Sequence, residues 1–228
     1  MIRLDGVSHV FGEGATHREV LRDLDLELRE QRIAIIGANG SGKSTFARLL
    51  NGLVLPTCGT VTVDGLDTRR DGAAVRRRVG FCFSDPDAQI VMPTVREDVA
   101  LGLRRSRLSR SEVIDRVAAA LDAVGLGGHA DHPAHLLSSG QKQLLALTSV
   151  LVTEPDVLVL DEPTTLLDLR NAREVVRRLA ELRQQVVLVT HDLAALDGFD
   201  RVLTIDEGRV VFDGDPAGAI TAYVAAMA

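Results

Sequence analysis

Residues 37–45 read Gly37-Ala38-Asn39-Gly40-Ser41-Gly42-Lys43-Ser44-Thr45. This stretch matches the pattern G-x-x-x-x-G-K-[ST], a loop whose backbone N–H groups wrap the phosphates of a nucleotide. Residues 32–36 before it predict a short buried strand, and residues 44–51 after it predict a helix. A glycine-rich turn with a chance lysine would not need a strand and a helix on its two sides. The stretch therefore predicts a site for a nucleoside triphosphate.

The residue types in this loop suit an anion and its metal ion. Glycine at three positions lets backbone N–H groups converge without a clash from Cβ atoms, and the following helix adds the positive end of its dipole. We expect Lys43 to reach the β- and γ-phosphates and the Ser44 hydroxyl to bind Mg²⁺. The residues expected to contact the nucleotide are Gly37, Asn39, Gly40, Ser41, Gly42, Lys43, Ser44 and Thr45.

The composition limits the class of protein. The chain has 228 residues, of which 46% are hydrophobic, and its formal net charge is −6. This size suits one large domain or a domain with an insert, and the acidic balance argues against nucleic acid as the main partner. Two cysteines, Cys58 and Cys82, suggest a reducing compartment. With no signal-peptide pattern and no apolar run of about 18 residues, we expect a soluble intracellular protein.

Hydrophobic periodicity predicts an α/β chain with a helical middle. Apolar runs predict strands over residues 2–8, 20–28, 32–36, 60–64, 79–83, 157–160, 186–190, 202–205 and 209–212. Amphipathic spacing predicts helices over residues 44–51, 111–124 and 169–183. Ser109 and Glu112 form a capping-box pattern before the second of these helices, and Gly125 is a stop signal after it. The alternation of strands and helices predicts a mainly parallel sheet.

The strand predicted over residues 157–160 ends in two carboxylates, Asp161 and Glu162. In a parallel sheet the carboxyl ends of the strands face the crevice that binds ligands, where the phosphate loop also lies. We expect Asp161 to hold Mg²⁺, directly or through water, and Glu162 to polarise the attacking water as the general base. An acidic pair at a strand end is often a solvated turn, but the phosphate loop upstream favours the catalytic interpretation.

A second motif, Leu137-Ser138-Ser139-Gly140-Gln141-Lys142-Gln143, introduces a family resemblance. The chain resembles an ATP-binding-cassette (ABC) ATPase, whose signature is usually L-S-G-G-Q, over almost its whole length. The resemblance implies an α/β fold: a P-loop NTPase (RecA-like) core with a mainly parallel sheet, an N-terminal antiparallel β region and an inserted helical subdomain. The core would comprise residues 1–83 and 151–228. The helical subdomain, residues 84–150, would carry the signature and the partner contacts.

The resemblance also implies a dimer with composite sites. A serine and backbone amides at a helix N-terminus form an anion site, and Ser138, Gly140 and Gln141 would face the ATP of a second cassette. Two cassettes would close head-to-tail around two ATP molecules through an isologous interface. Ser139 departs from the usual glycine and narrows the space beside the phosphate. The structural alternative is that Ser138 and its neighbours form only a helix cap.

Three further positions follow the family. His191 would contact the γ-phosphate as a sensor and stabilise the transition state, although a lone histidine at a strand end is more often a satisfied surface or core residue. Asp168 matches the loop that communicates across the dimer, where Leu166 replaces a smaller residue. Phe11 matches the aromatic position that stacks on adenine; a core phenylalanine is the alternative.

Ser84 is the main departure from the family pattern. The resemblance expects a glutamine there that touches Mg²⁺ and the attacking water, and serine would reach the metal only through a bridging water. Gln89, five residues further along, is another candidate for this contact.

Three histidines precede the signature. His129, His132 and His135 are spaced three residues apart and invite a metal-site interpretation together with Asp131. Pro133 and nearby glycines predict a loop, which favours a partner-facing loop over a metal site.

Residues 85–89 and 92–99 resemble the energy-coupling-factor branch of ABC ATPases. In that branch a pair of ATPases drives a transmembrane coupling protein, which in turn acts on a small substrate-binding membrane protein. The resemblance implies these partners, a peripheral location on the cytoplasmic side of the cell membrane, and docking of the coupling protein along Pro93–Gly102. ATP would close the dimer and hydrolysis would reopen it. A biotin importer is implied; a cobalt or nickel importer and a soluble cassette ATPase of DNA repair or translation remain alternatives.

Overall fold

A computed structural model describes residues 1–12 and 17–227 of the chain. Its strands are β1 (Ile2–Phe11), β2 (Arg18–Leu28), β3 (Arg32–Ile36), β4 (Cys58–Val63), β5 (Leu66–Asp67), β6 (Val79–Cys82), β7 (Val157–Asp161), β8 (Gln185–Val189), β9 (Arg201–Asp206) and β10 (Arg209–Gly214). Its helices are α1 (Lys43–Leu50), α2 (Gly72–Arg78), α3 (Val95–Gly102), α4 (Arg110–Ala123), α5 (Ser139–Leu151), α6 (Leu169–Ala180) and α7 (Pro216–Met227).

The strands form two sheets. The larger sheet has the order β10-β9-β3-β8-β7-β6, and all of its neighbouring strands are parallel except β10 and β9. The smaller sheet, β2-β1-β4-β5, is antiparallel. Every residue of β3 and β7 is buried, as expected for central parallel strands covered on both faces. The predicted α/β class, with an antiparallel N-terminal region, is confirmed.

The sequence patterns located the regular elements with small errors at their ends. The capping box at Ser109 is present, because its backbone N–H donates to the Glu112 carboxylate at 2.7 Å and its hydroxyl accepts from Glu112 N–H at 3.3 Å. Helix α6 ends three residues before the predicted Arg183. Helices α2 and α7 and the short β5 were not predicted, and α3 and α5 were predicted only as part of a helical middle. Helix α7 is rich in alanine and apolar on most sides, so it lacks the amphipathic period that identifies a helix.

Helices α3, α4 and α5 lie between β6 and β7 in the chain and share their own apolar cluster, which includes Val99, Leu121 and Leu145. The buried carboxylate of Asp98 on α3 accepts from the backbone N–H of Val91 at 2.9 Å and from the hydroxyl of Ser149 on α5 at 2.8 Å. These contacts hold the segment after β6 against both helices. The division of the chain at residues 84 and 150 remains a prediction.

Among the residues that the structure covers, no helix combines the length and apolar character needed to cross a bilayer.

Arg32 fixes the position of α6 relative to the strand that precedes the phosphate loop. Its side chain is buried at the start of β3. One guanidinium nitrogen donates to Gln184 O at 2.9 Å, and the other donates to Ala180 O at 3.1 Å and to Leu182 O. Carbonyl groups at the end of a helix lack intrahelical partners, and a cation there complements the helix dipole. Ala180 is the last residue of α6, whereas Leu182 and Gln184 lie between α6 and β8, so Arg32 caps the helix end and holds the segment that follows it.

Replacing Arg32 by Met would keep the apolar stem and leave these carbonyl groups without their donor. We expect the free energy of unfolding to fall by about 2–3 kcal/mol, measured as a lower midpoint of urea unfolding at unchanged slope. Arg29→Met is the control, because Arg29 is exposed and pairs with Glu27 at the surface, and such pairs contribute under about 1 kcal/mol. Equal midpoints for the two variants would contradict the capping role.

Candidate nucleotide site

The phosphate loop depends on glycine at positions where a side chain cannot fit. It joins the end of β3 to the start of α1, and Gly37, Gly40 and Gly42 have φ values of 147°, 79° and 111°. L residues with a side chain rarely adopt these values. A Cβ atom on Gly37 would also collide with the carbonyl oxygen of Ile205, and one on Gly42 would lie 2.7 Å from the carbonyl oxygen of Val20. The loop is therefore packed against β9 and β2.

Lys43, the first residue of α1, is 4% exposed. Its Nζ donates to the carbonyl oxygens of Gly37 and Ala38, both at 2.9 Å. Burial lowers the pKa of this ammonium group, while the nearby carboxylates of Glu162 and Asp161 act in the opposite direction. A phosphate oxygen forms a stronger, charge-assisted hydrogen bond than a backbone carbonyl. Lys43 is thus a desolvated cation held at the base of the loop, as phosphate binding requires.

Two residues predicted as metal ligands from distant parts of the sequence meet beside the loop. The Ser44 hydroxyl donates to Asp161 Oδ1 at 2.8 Å, and Arg48 Nη2 lies 3.6 Å from Oδ2. Asp161 is 2% exposed, and this burial raises its pKa, partly offset by the Ser44 hydrogen bond and the Arg48 charge. A buried carboxylate next to a hydroxyl matches the hard oxygen ligands that Mg²⁺ takes. Ser44 and Asp161 therefore have the chemistry expected of Mg²⁺ ligands.

Glu162 follows Asp161 with its backbone in the left-handed region, at φ 51°. Its Oε2 lies 3.2 Å from His191 Nδ1 and accepts a 3.0 Å hydrogen bond from the hydroxyl of Thr165. Its backbone N–H donates to Val189 O on the neighbouring strand. Glu162 and His191 therefore meet at the carboxyl ends of two adjacent strands, β7 and β8. Sequence reasoning missed Thr165; its only signal is a hydroxyl three residues after the carboxylate.

An open cavity of about 440 Å³ lies over the loop, large enough for a nucleotide. Its lining combines phosphate-loop residues with a strand-end carboxylate and part of the small sheet: Phe11, Arg18, Val20, Asn39, Gly40, Gly42, Lys43, Ser44, Thr45 and Glu162. Phe11 is 45% exposed at this cavity and meets His9 edge-to-face at 4.5 Å, so it is not a core residue. Arg18 and Val20 were missed, because strand β2 carries no motif.

Ser41 of the phosphate loop carries a buried hydroxyl group. Ser41 is buried, and its Oγ has no hydrogen-bond partner within the part of the chain that the structure covers. Its backbone carbonyl accepts from the N–H of Gly208, in the turn between β9 and β10. A buried hydroxyl without a partner is costly, and a phosphate oxygen would supply the missing acceptor.

The signature residues lie apart from this cavity and form a separate cluster. Ser138 caps α5 in a capping box with Gln141, since its hydroxyl accepts from Gln141 N–H at 3.3 Å. Gly140 is buried against the carboxamide of Asn171, where a Cβ atom would come within 2.7 Å. Asn171 in turn donates from its backbone to Asp168 at 2.8 Å and from its side chain at 3.0 Å. Asp168 and the start of α5 are therefore linked through Asn171, which sequence reasoning missed.

Two candidates from the sequence have other roles. Gln89 does not offer its amide to the site, because Oε1 accepts from Phe83 N–H at 3.0 Å and Nε2 donates to Ala146 O at 2.9 Å. The histidines before the signature form no metal site: no cluster of three or more possible ligand side chains occurs among the residues covered here. His129 instead lies 3.5 Å from the Gln141 amide.

A phosphate loop between a buried strand and a helix, with two carboxylates at the end of a nearby strand, defines a P-loop ATPase. Comparison with known proteins narrows this class. The sequence profile of the ABC transporter family matches residues 21–165. The chain belongs to the ABC transporter ATPase family, whose members hydrolyse ATP.

Three relatives match over most of their length. A Deinococcus radiodurans protein named only as an ABC transporter ATP-binding protein is 54% identical over 98% of this chain and 97% of that protein. The biotin transport ATP-binding protein BioM of Rhodobacter capsulatus is 47% identical over 91% of this chain and 89% of BioM. The energy-coupling factor transporter ATP-binding protein EcfA1 of Symbiobacterium thermophilum is 46% identical over 93% of this chain and 78% of EcfA1.

Two solved structures share the fold. The protein cbiO1 from Clostridium perfringens, part of the ABC transporter complex cbiONQ, has a TM-score of 0.84 and 30% identity, covering 96% of this chain and 90% of its own. A dimeric ATP-binding cassette in a post-hydrolysis state with ADP and Pi bound also has a TM-score of 0.84, with 28% identity, covering 95% of this chain and 99% of its own.

Replacing Gly37 by Ala should disturb the phosphate loop, because the added methyl group meets the carbonyl of Ile205 at a backbone angle unsuited to alanine. Such strain costs about 1–3 kcal/mol, so we expect the affinity for ATP to fall by about tenfold or more. Titration with a fluorescent ATP analogue measures this. Gly128→Ala is the matched control, since Gly128 is exposed and a Cβ atom there has no neighbour within 4 Å. Unchanged affinity for Gly37→Ala would contradict the steric argument.

Proposed function

We propose that this chain is the ATP-hydrolysing subunit of an importer of the energy-coupling-factor type, with biotin as the transported substrate. The observation that carries the proposal is the 47% identity to BioM over 91% of this chain. It is supported by a cavity lined by Lys43 and Glu162, with His191 in contact with Glu162. The chain contributes ATP hydrolysis. Binding of biotin belongs to membrane partners, which we infer to be a transmembrane coupling protein and a small substrate-binding protein.

The chemistry proposed for one site follows from its contacts. Phe11 stacks on the base, and the phosphate loop with Lys43 binds the β- and γ-phosphates. Mg²⁺, held by Ser44 and Asp161, would neutralise charge that develops on the phosphate oxygens. Glu162 accepts a proton from the attacking water, while Thr165 and His191 hold the same carboxylate oxygen and so orient it.

His191 contacts Glu162 through one ring nitrogen and has the other available for the nucleotide. The imidazole contacts the carboxylate through Nδ1, which leaves Nε2 for the γ-phosphate. Their strands are neighbours, so the positions of the two side chains depend on the same parallel pairing between β7 and β8. We infer that His191 both positions the base and stabilises charge on the transferred phosphoryl group.

The second half of the site is proposed to come from another cassette. Ser138, Gly140 and Gln141 lie at the N-terminus of α5, outside the cavity over the phosphate loop, with Asp168 linked to them through Asn171. A related cassette is dimeric in its post-hydrolysis state, which supports a head-to-tail pair. ATP would join both halves and favour the closed dimer, and loss of the γ-phosphate would remove this advantage.

A cleft between α3 and α4 is the proposed docking site for a cytoplasmic helix of the coupling protein. It has a volume of about 260 Å³ and a mostly apolar lining that includes Ala100, Val113, Ile114, Val117 and Leu121. Ile114 is 59% exposed. An amphipathic helix that lays its apolar face into such a groove is a recurring mode of recognition. This contact would place the chain at the cytoplasmic surface of the membrane.

Glu162→Gln should preserve ATP binding and slow hydrolysis by about 10²–10⁴-fold, because an amide cannot accept the proton. The variant should then accumulate as an ATP-dependent dimer, visible as a doubled mass in light scattering. Glu154→Gln is a matched control: Glu154 is also a glutamate with positive φ, at 52°, but it lies at the surface and pairs with Arg116. Hydrolysis by Glu162→Gln at the parent rate would exclude Glu162 as the base.

Affinity purification of the tagged chain from detergent-solubilised membranes of its native host tests the transport function. We expect mass spectrometry to find a coupling membrane protein and a small biotin-binding membrane protein. Recovery of metal-importer subunits would replace biotin by cobalt or nickel and keep the mechanism. Recovery of soluble partners alone would contradict the importer proposal. A preparation without the affinity tag controls for adventitious binding.

A further inference from the structure

A basic segment joins the two walls of the cleft between α3 and α4. Arg104, Arg105 and Arg107 lie in the connection between these helices, and Arg110 is the first residue of α4; all four are exposed. We call these four residues the arginine segment. Within the described ranges, residues 1–12 and 17–227, none of their guanidinium groups forms an ion pair with a carboxylate or donates a hydrogen bond.

Other arginines on the same helices behave differently. Arg96 on α3 pairs with Asp131 at 2.7 Å, and Arg116 on α4 pairs with Glu154 at 2.6 Å. The lack of partners for the arginine segment among the described residues is therefore a local property. It does not reflect a shortage of acidic residues, because the whole chain has a net charge of −6.

The acidic groups near the segment are few. Residues 101–116 contain five arginines and two carboxylates, Glu112 and Asp115. The Glu112 carboxylate already accepts from Ser109 N–H in the capping box of α4. Glu97, on α3, is likewise taken up by the hydroxyl of Thr94 at 2.7 Å. The segment thus presents a concentrated positive charge on an acidic protein.

The position of this charge beside the cleft points to its partner. The segment adjoins the cleft that is proposed to dock a helix of the membrane partner, so its charge lies on the side of the chain that would face the membrane. The surface of a bilayer that contains anionic lipids carries the charge that complements the arginines. Guanidinium groups bind phosphate oxygens well. Because no side chain among residues 1–12 and 17–227 pairs with these arginines, they suit a fluid array of phosphates better than one rigid protein surface.

We propose that Arg104, Arg105, Arg107 and Arg110 bind anionic phospholipid headgroups at the membrane surface and so turn the cleft between α3 and α4 towards the membrane. The proposal rests on the proposed function only for its location, since the lipid contact itself needs no partner protein. Each basic residue near an anionic surface strengthens binding several-fold, and salt weakens the attraction over a Debye length of about 10 Å at 0.1 M.

Co-sedimentation of the full chain with vesicles tests this. Vesicles of phosphatidylcholine, with and without phosphatidylglycerol, are compared at low and high salt. We expect binding only with phosphatidylglycerol and at low salt. The combined variant Arg104→Gln, Arg105→Gln, Arg107→Gln should bind about 100-fold more weakly. The matched control neutralises three exposed arginines elsewhere, Arg77→Gln, Arg183→Gln and Arg209→Gln, and should stay within about threefold of the parent chain.

The vesicle experiment distinguishes failure of the lipid proposal from failure of the transport proposal. Equal loss of vesicle binding in the two triple variants would show only an effect of net charge and overturn the proposal, as would the absence of any preference for phosphatidylglycerol. If the parent chain does not bind vesicles and the arginine triple variant no longer copurifies with the membrane partner in detergent, the segment binds an acidic partner protein. This result would also overturn the lipid proposal. Retained ATP hydrolysis by the triple variant shows that it is folded. Vesicle binding without a copurified importer would keep this proposal and contradict the transport function.

Discussion

The hydrogen bond from Ser44 to Asp161 joins the phosphate loop to the strand-end carboxylates. The rest of the nucleotide-binding geometry depends on the sheet that brings these two residues together. Ser44 belongs to the helix after β3 and Asp161 to the end of β7, with β8 between the two strands. Because all three strands run parallel, their carboxyl ends share one edge. A one-residue change of register would turn Asp161 to the other face, so parallel pairing in this register is the main constraint on the site.

The same edge carries the groups that act on the phosphate. His191 follows β8 and Glu162 follows β7, and the two side chains meet because their strands are adjacent. This arrangement of groups costs folding free energy. Burial raises the pKa of Asp161 and lowers the pKa of Lys43, and Glu162 has a strained backbone angle. Such unfavourable features persist at functional sites because the surrounding packing holds them.

Prediction from sequence succeeded where a signal is contiguous and was incomplete where groups come from distant segments. The glycine-rich loop at residues 37–42 and the capping box at Ser109 are local patterns, and the structure has the loop and the cap where the sequence predicts them. Gln89 was a candidate for the metal, but its amide is taken up by Phe83 and Ala146, and only packing of α5 reveals that. Thr165, Arg18 and Asn171 belong to no motif, so their contacts with the site or the signature emerged from the fold alone.

The sequence by itself determined the α/β class, the phosphate loop and the identity of the strand-end carboxylates, because each is encoded by neighbouring residues and by hydrophobic period. Tertiary structure alone decided which of these parts meet. Ser44 and Asp161 are 117 residues apart, Gly37 abuts Ile205, and Gly140 abuts Asn171. Strand order and helix packing create these contacts, and neither is contained in local periodicity, since the same pattern of buried strands is compatible with several orders in one sheet.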